Sequence, residues 1–147
     1  MEINDLPAVV ALERESGLSS WGIAGYEREL LNPQAVLLVA VCSKTVVGYF
    51  SGRVMADEFE LFAIAVRSGL RRQGRGRKLL EAGLRELQRR AIQTCFLEVR
   101  AANLAAQNFY LASGFKPLGV RRNYYHDPTD DAVTMVWKAI VPNARPE

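Results

Sequence analysis

Histidine occurs once and cysteine twice in the 147 residues, which leaves little material for a zinc or other His/Cys metal centre. Cys42 and Cys95 both sit inside apolar, strand-like runs, so buried reduced thiols are expected, a state that fits the cytoplasm. The longest aliphatic run, AVLLVAVC at 35–42, is far too short to cross a bilayer. No charged segment followed by an apolar one opens the chain, so no secretory signal is expected. Repeats, low-complexity tracts and linkers are also missing. One domain spanning 1–147 is expected, with 142–147 as a frayed tail.

Charge lacks a strong overall bias too, with a net +3. Its distribution is uneven: RRQGRGRKLL (71–80) carries five cationic side chains, and Arg121-Arg122 form another pair. No aromatic residue is interleaved with the basic run, as a nucleic-acid surface would have it, so a local anion site is the better reading. His126 reads as a turn residue, and no metal site is expected.

Patterning gives the element order. Asn4 or Asp5 before Leu6-Pro7 reads as a helix cap, with the helix running to about Ser16 and stopping near Gly17. A short helix is expected over 26–31, ending before Asn32-Pro33. AVLLVAVC (35–42) and VVGYFSGRVM (46–55) read as antiparallel strands joined around 43–45, and EFELFAIAV (58–66) as a third. Residues 77–91 place Leu79, Leu80, Leu84, Leu87 and Ala91 on one side of a helix. CFLEVR (95–100) is a strand. Asn103 caps the next helix, which Gly114 closes. FKPLGVRRNYY and AVTMVWKAI supply the last two strands. The reading is an α/β chain of order ααβββαβαββ around a mixed sheet.

The basic run falls where a helix starts, and there each cation costs a few tenths of a kcal/mol to about 1 kcal/mol against the helix dipole. Gly74 and Gly76 match two positions of the dinucleotide fingerprint, but Leu79 stands at the third. Gly69 and Gly74 have P-loop spacing, but Arg75-Gly76 follows where Lys-Ser or Lys-Thr belongs. The strand–glycine loop–helix order still suits an anion cradle, in which free amides hold a phosphate and the missing side chains allow close approach. The alternative is a solvated basic loop.

In FLEVR, alternation sets Leu97 and Val99 on one face and Phe96, Glu98 and Arg100 on the other. A carboxylate at Glu98 suits a general base acting on an amine, its desolvation offset by Arg100 if the two pair. An ion pair at the sheet end is the plainer role. Asn103, Ala106, Gln107 and Tyr110 share one helix face. The Tyr110 phenol could protonate a departing thiolate, or could simply pack.

Six pieces in order, LFAIAV (61–66), RRQGRGR (71–77), LEVRAAN (97–103), NFYLASGF (108–115), RRNYY (121–125) and DDAVTM (130–135), resemble the GNAT acetyltransferases along nearly the whole chain. More narrowly they resemble the RimI type, which acetylates the N-terminal alanine of a small-ribosomal-subunit protein. The resemblance implies a fold in which two parallel strands, ending near Val66 and Arg100, splay apart around acetyl-CoA. It implies that Arg71, Arg72, Gln73, Gly74, Arg75, Gly76 and Arg77 grip the cofactor's diphosphate. Ile64, Ala65 and Val66 would offer backbone groups to the pantetheine arm and thioester, and Asn103 would touch the cofactor. Glu98 would be the general base and Tyr110 the general acid, in direct transfer without a protein nucleophile. A protein or peptide N-terminus would be the partner, with neither membrane nor nucleic acid involved.

The match loosens at two places. The family's first strand is expected to be short or missing after Met1-Glu2-Ile3, and Ser20-Trp21 stands where relatives often carry Pro-Trp. Trp21, Tyr124 and Tyr125 are candidate groove residues, or else cover the sheet edge. Two other functions remain open from the sequence: acetylation of a small amine, polyamine or antibiotic, and a non-catalytic module that binds coenzyme A or RNA.

Overall fold

The computed structural model describes residues 1–18 and 21–141; the tail expected at 142–147 and Ser20 lie outside them. A 3-10 turn over Ile3–Asp5 leads into α1 (Leu6–Ser16), followed by α2 (Gly22–Leu30). Then come β1 (Ala35–Cys42), β2 (Thr45–Met55) and β3 (Glu58–Val66). A second 3-10 turn (Ser68–Leu70) precedes α3 (Arg75–Arg89), β4 (Thr94–Arg100), α4 (Leu104–Ala112), β5 (Lys116–Tyr125) and β6 (Asp130–Lys138). The order read from the sequence holds. No strand precedes α1 among the described residues, and the Met1 amino group donates to the Leu37 carbonyl at 3.2 Å.

Two boundaries need correction. The second helix covers Gly22–Leu30 rather than 26–31, and Tyr26 and Glu29 on its inner side are buried. Arg53 donates to Glu29, and Tyr26 is 1% exposed. Asp5 does not cap α1 with its side chain. Its carboxylate instead accepts the Glu2 amide at 2.7 Å, closing the preceding 3-10 turn.

The six strands form one sheet in the order β1-β2-β3-β4-β6-β5. All neighbours are antiparallel except β3 and β4. One face is covered by α3 and α4 over Phe50, Phe59, Leu61, Leu97 and Met135. The other is covered by α1 and α2 over Tyr49 and Ala65. Edge strand β5 is exposed along nearly its whole length, and Lys116, Pro117, Arg121 and Arg122 make it a poor template for further pairing.

The parallel pair is the feature that positions everything else. β3 and β4 pair only at Phe59↔Cys95 and Glu60↔Phe96, and then part. A bulge explains the break. Opposite β2, Gly52 pairs with Leu61 and Ser51 with Ala63, so Phe62 is the extra residue. A bulge bends its strand and flips the alternation beyond it. Phe59 and Leu61 face the α3 side, as does Ile64 after the bulge, while Ala63 and Ala65 face α1.

α3 sits close on β2 because Gly83 has no side chain. A Cβ there would lie 2.4, 2.5 and 2.9 Å from three Phe50 ring atoms. Phe50 is fully buried and stacked on Phe59 with ring centroids 5.8 Å apart, so it has nowhere to go. Gly83→Ala should therefore destabilise the fold by about 1–3 kcal/mol through overpacking, although alanine is the better helix former by about 1 kcal/mol. A urea midpoint at or above that of the parent would contradict this packing.

Candidate active site

Past Glu60 and Phe96 the two strands leave backbone groups without a partner strand. The Arg67 amide donates to the Val47 carbonyl at 2.8 Å, so Gly48 and Val66 form a non-hydrogen-bonded pair. In such a pair the backbone groups point away from the neighbour. Val66, and by alternation Ile64, thus turn their amides into the gap, while Ala65 exchanges its hydrogen bonds with Tyr49. This corrects the expectation for Ala65, whose backbone is already engaged. Across the gap the Ala101 amide donates to the Asp131 carbonyl at 2.8 Å, so Arg100↔Ala132 and Glu98↔Thr134 are likewise non-hydrogen-bonded pairs. The Glu98 backbone faces the same opening. The Arg100 carbonyl there accepts the Gln107 side-chain amide at 3.1 Å.

A cavity of about 850 Å³ runs through this gap. Its walls hold Glu98, Tyr110, Ile64, Ala65, Val66, Arg71, Arg72, Gly76 and Asn103, together with Trp21, Tyr124 and Tyr125. Of the residues singled out in the sequence, Gln73, Gly74, Arg75 and Arg77 do not line it. Gly74 adopts φ 77° as the N-cap of α3, a left-handed conformation natural to glycine, and its carbonyl accepts the Lys78 amide at 3.0 Å. Arg75 donates to Gln73 and lies 3.9 Å from the Cys42 sulfur. Arg77 pairs with Glu81 at 3.1 Å. Arg71 donates to the Val66 carbonyl at 2.8 Å and so ties the loop to the strand end. Arg72 sits at φ 59°, a conformation that costs a non-glycine residue about 1–3 kcal/mol. It has no ion-pair partner among the described residues. No acidic residue occupies the first turn of α3, so the positive field of the helix start reaches outward undiminished. Gly76 packs against the Phe109 ring and Val66, which a Cβ would meet at 3.6 Å and beyond, whereas nothing lies within 4 Å of a Cβ at Gly74.

Glu98 lies on the α1 side of the sheet and Tyr110 packs on the α3 side; the parted strands are what let them share one cavity. The Glu98 side chain is 14% exposed. Its Oε2 accepts the Thr134 hydroxyl at 2.7 Å, and its Oε1 lies 3.4 Å from Nε of Arg121. Arg100 is not its partner. That guanidinium donates to the Pro128 and His126 carbonyls and sits 4.4 Å from the Tyr125 ring centroid. Tyr110 packs between Phe109 and Phe115, with centroids 5.2 and 5.4 Å away. Burial raises its phenol well above the ordinary tyrosine value, aided by nearby Cys95 and Tyr125. The ring therefore stays protonated throughout the neutral range. Burial likewise pushes Tyr125 up to about 12. Asn103 caps α4 by accepting the Ala106 amide at 3.1 Å, which leaves its amide nitrogen for a ligand.

The far end of the cavity is aromatic. Trp21 meets Phe62 edge-on at 5.5 Å and Tyr26 at 5.3 Å, and the Tyr26 hydroxyl donates to buried Glu13 at 2.6 Å. Trp21 thus shapes this wall through Phe62, the bulged residue. Phe62, Glu13, Tyr26, Thr134 and the Arg121 contact were not singled out as site residues from the sequence. Strand register alone reveals that Thr134 stands opposite Glu98, and the bulge alone turns Phe62 towards Trp21.

The raised acids fix an alkaline limit. Cys95 is pushed by burial from 9.0 to about 12, and Tyr26, Tyr49, Tyr110 and Tyr125 all lie above 10.0. The unfolded chain releases these protons first, so above about pH 9 it binds fewer than the native state, and stability must fall as pH rises. Urea midpoints between pH 8 and 11 should decline, more steeply past about pH 10, and Tyr110→Phe should flatten that decline. A pH-independent midpoint would show that these groups are not shielded.

The acetyltransferase (GNAT) family pattern matches residues 6–115. The [ribosomal protein bS18]-alanine N-acetyltransferase of Escherichia coli K12 is 36% identical over 141 residues, 92% of each chain. The N-alpha-acetyltransferase RimI of Mycobacterium tuberculosis is 36% identical over 123 residues, covering 81% of this chain and 76% of its own. The crystal structure of the E. coli ribosomal-protein-S18-alanine N-acetyltransferase superposes with a TM-score of 0.87 at 32% identity, over 100% of this chain and 96% of that one. The parted strands, the glycine–arginine loop at a helix start and the extent of these matches agree: the chain belongs to the GNAT family of acetyltransferases.

Proposed function

We propose that the enzyme moves the acetyl group of acetyl-CoA to the N-terminal amine of a protein, the N-terminal alanine of ribosomal protein bS18 being the acceptor. The observation that carries this reading is one cavity lined together by Glu98, Tyr110, Val66, Arg71, Arg72 and Gly76. Relatives at 36% identity act on that acceptor by name.

The donor fits the residues present. The bare start of α3, with Gly74 and Gly76 and with Arg72 unpaired, suits a diphosphate. The unpaired amides of Ile64 and Val66 suit the amide-bearing arm of the cofactor, which extends β3 as a further strand would. Glu98 accepts a proton from the acceptor ammonium, and the amine attacks the thioester carbonyl. The Val66 amide lies where the oxyanion develops, and such donors act strongly in a site shielded from water. Tyr110 donates its proton to the departing sulfur, a role suited to a phenol that burial keeps protonated. Trp21, Phe62, Tyr124 and Tyr125 wall the acceptor groove. On this reading the basic loop serves the diphosphate, and neither nucleic acid nor membrane has a part in the reaction.

Intact-mass measurement after incubation with acetyl-CoA tests the acceptor. A peptide beginning with Ala should gain one acetyl group faster than peptides beginning with Ser or Met, and spermidine or an aminoglycoside should remain unmodified. Preference for a small amine would overturn the acceptor. Glu98→Gln should lower kcat by about a hundredfold or more, the usual range for a general base, with coenzyme A affinity unchanged. Unaltered turnover would remove Glu98 from the mechanism.

A further inference from the structure

The two oxygens of Glu98 are held in different ways, and the difference assigns them different work. Oε2 accepts the Thr134 hydroxyl at 2.7 Å in a half-buried contact. Glu98 and Thr134 are directly opposed on β4 and β6, in the non-hydrogen-bonded kind of pair that brings cross-strand side chains closest. This donor is short, comes from a β-branched side chain with few rotamers, and sits on a strand paired on both sides. Among the described residues, Oε1 meets only Nε of Arg121, at 3.4 Å, and that side chain is 63% exposed. A single-point contact from an exposed arginine is a weak restraint on this oxygen.

We propose that Thr134 is a positioning residue for the base: its hydroxyl pins Oε2 so that Oε1 is the oxygen presented to the acceptor amine. The proposal rests on the reading of Glu98 as general base. In the step it serves, an N–H bond of the acceptor ammonium breaks and an O–H bond forms at Oε1, directly or through one water. The nitrogen keeps the electron pair with which it attacks. The acceptor cation then stands where the Arg121 guanidinium rests in the free enzyme, while the Thr134 bond stays in place.

Glu98 lines two cavities: the large one together with Glu60, Arg100, Tyr110 and Tyr125, and a smaller one together with Glu58, Glu60, Arg121 and Thr134. Apart from Thr134 itself, none of them is altered by a substitution at position 134. Thr134→Val keeps the shape and the strand preference of the side chain while removing the donor; Thr134→Ser keeps the donor.

The test measures acetyl transfer from acetyl-CoA to an Ala-starting peptide between pH 5.5 and 9.5. Thr134→Val should lower kcat by about tenfold, the scale expected when a reacting group is misplaced by part of an ångström. It should leave the KM for acetyl-CoA unchanged. Thr134→Ser should recover the rate. Parent-like kcat in Thr134→Val would overturn the proposal, as would a rate loss matched by a comparable rise in the KM for acetyl-CoA, which is the mark of a general packing defect. Failure of Thr134→Ser to rescue would overturn it too. Glu98→Gln, assayed alongside, separates the two claims. If it is inactive while Thr134→Val is silent, only the positioning role falls; if it retains turnover, the base assignment falls first.

Discussion

The chemistry depends on two parallel strands failing to stay together. β3 and β4 share two residue pairs and then separate, at the point where Phe62 bulges out of register with β2. Backbone amides are obligatory donors, and leaving them unpaired inside a protein is costly. The free amides of Ile64 and Val66 therefore mark a place built to be completed by something else. The same separation makes a passage through the sheet, so a carboxylate from one face and a phenol from the other can face one space.

The elements around this gap hold it open. Arg71 binds the Val66 carbonyl, fastening the basic loop to the end of β3. Gln107 binds the Arg100 and Ala101 carbonyls, fastening α4 to the end of β4. The strand ends are thus satisfied by side chains from the segments that follow them, and neither needs the other. Local strain collects in the same region, with Arg72 in a left-handed conformation and cations crowded at the start of α3. On the proposed reading, a bound diphosphate would relieve this crowding by placing an opposite charge near the cations.

The other end of the cavity is walled by aromatic rings. Trp21, Phe62 and Tyr26 form a connected aromatic wall, anchored through the Tyr26–Glu13 hydrogen bond and by the Glu29–Arg53 pair that holds α2 to the sheet. Tyr124 and Tyr125 approach from the β5–β6 side, perpendicular to each other at 4.9 Å. These rings are held by packing and by the guanidinium groups of Arg100 and Arg121, an arrangement stiff enough to present a groove rather than a flat surface.

Local signals in the chain determined the element order, the cap at Asn103, the stop at Gly17, the alternation that puts Glu98 opposite Leu97 and Val99, and the glycine–arginine loop at a helix start. Each of these follows from bonds and side chains within a few residues of one another, so each was legible without the fold. The tertiary structure decided what depends on register between distant strands: the bulge at Phe62, which backbone amides are left free, and the engagement of Ala65. It also decided the choice of Thr134 and Arg121 over Arg100 as neighbours of Glu98. A one-residue slip in pairing would have given every strand residue a different partner on the opposite face, and no stretch of sequence taken alone carries that information.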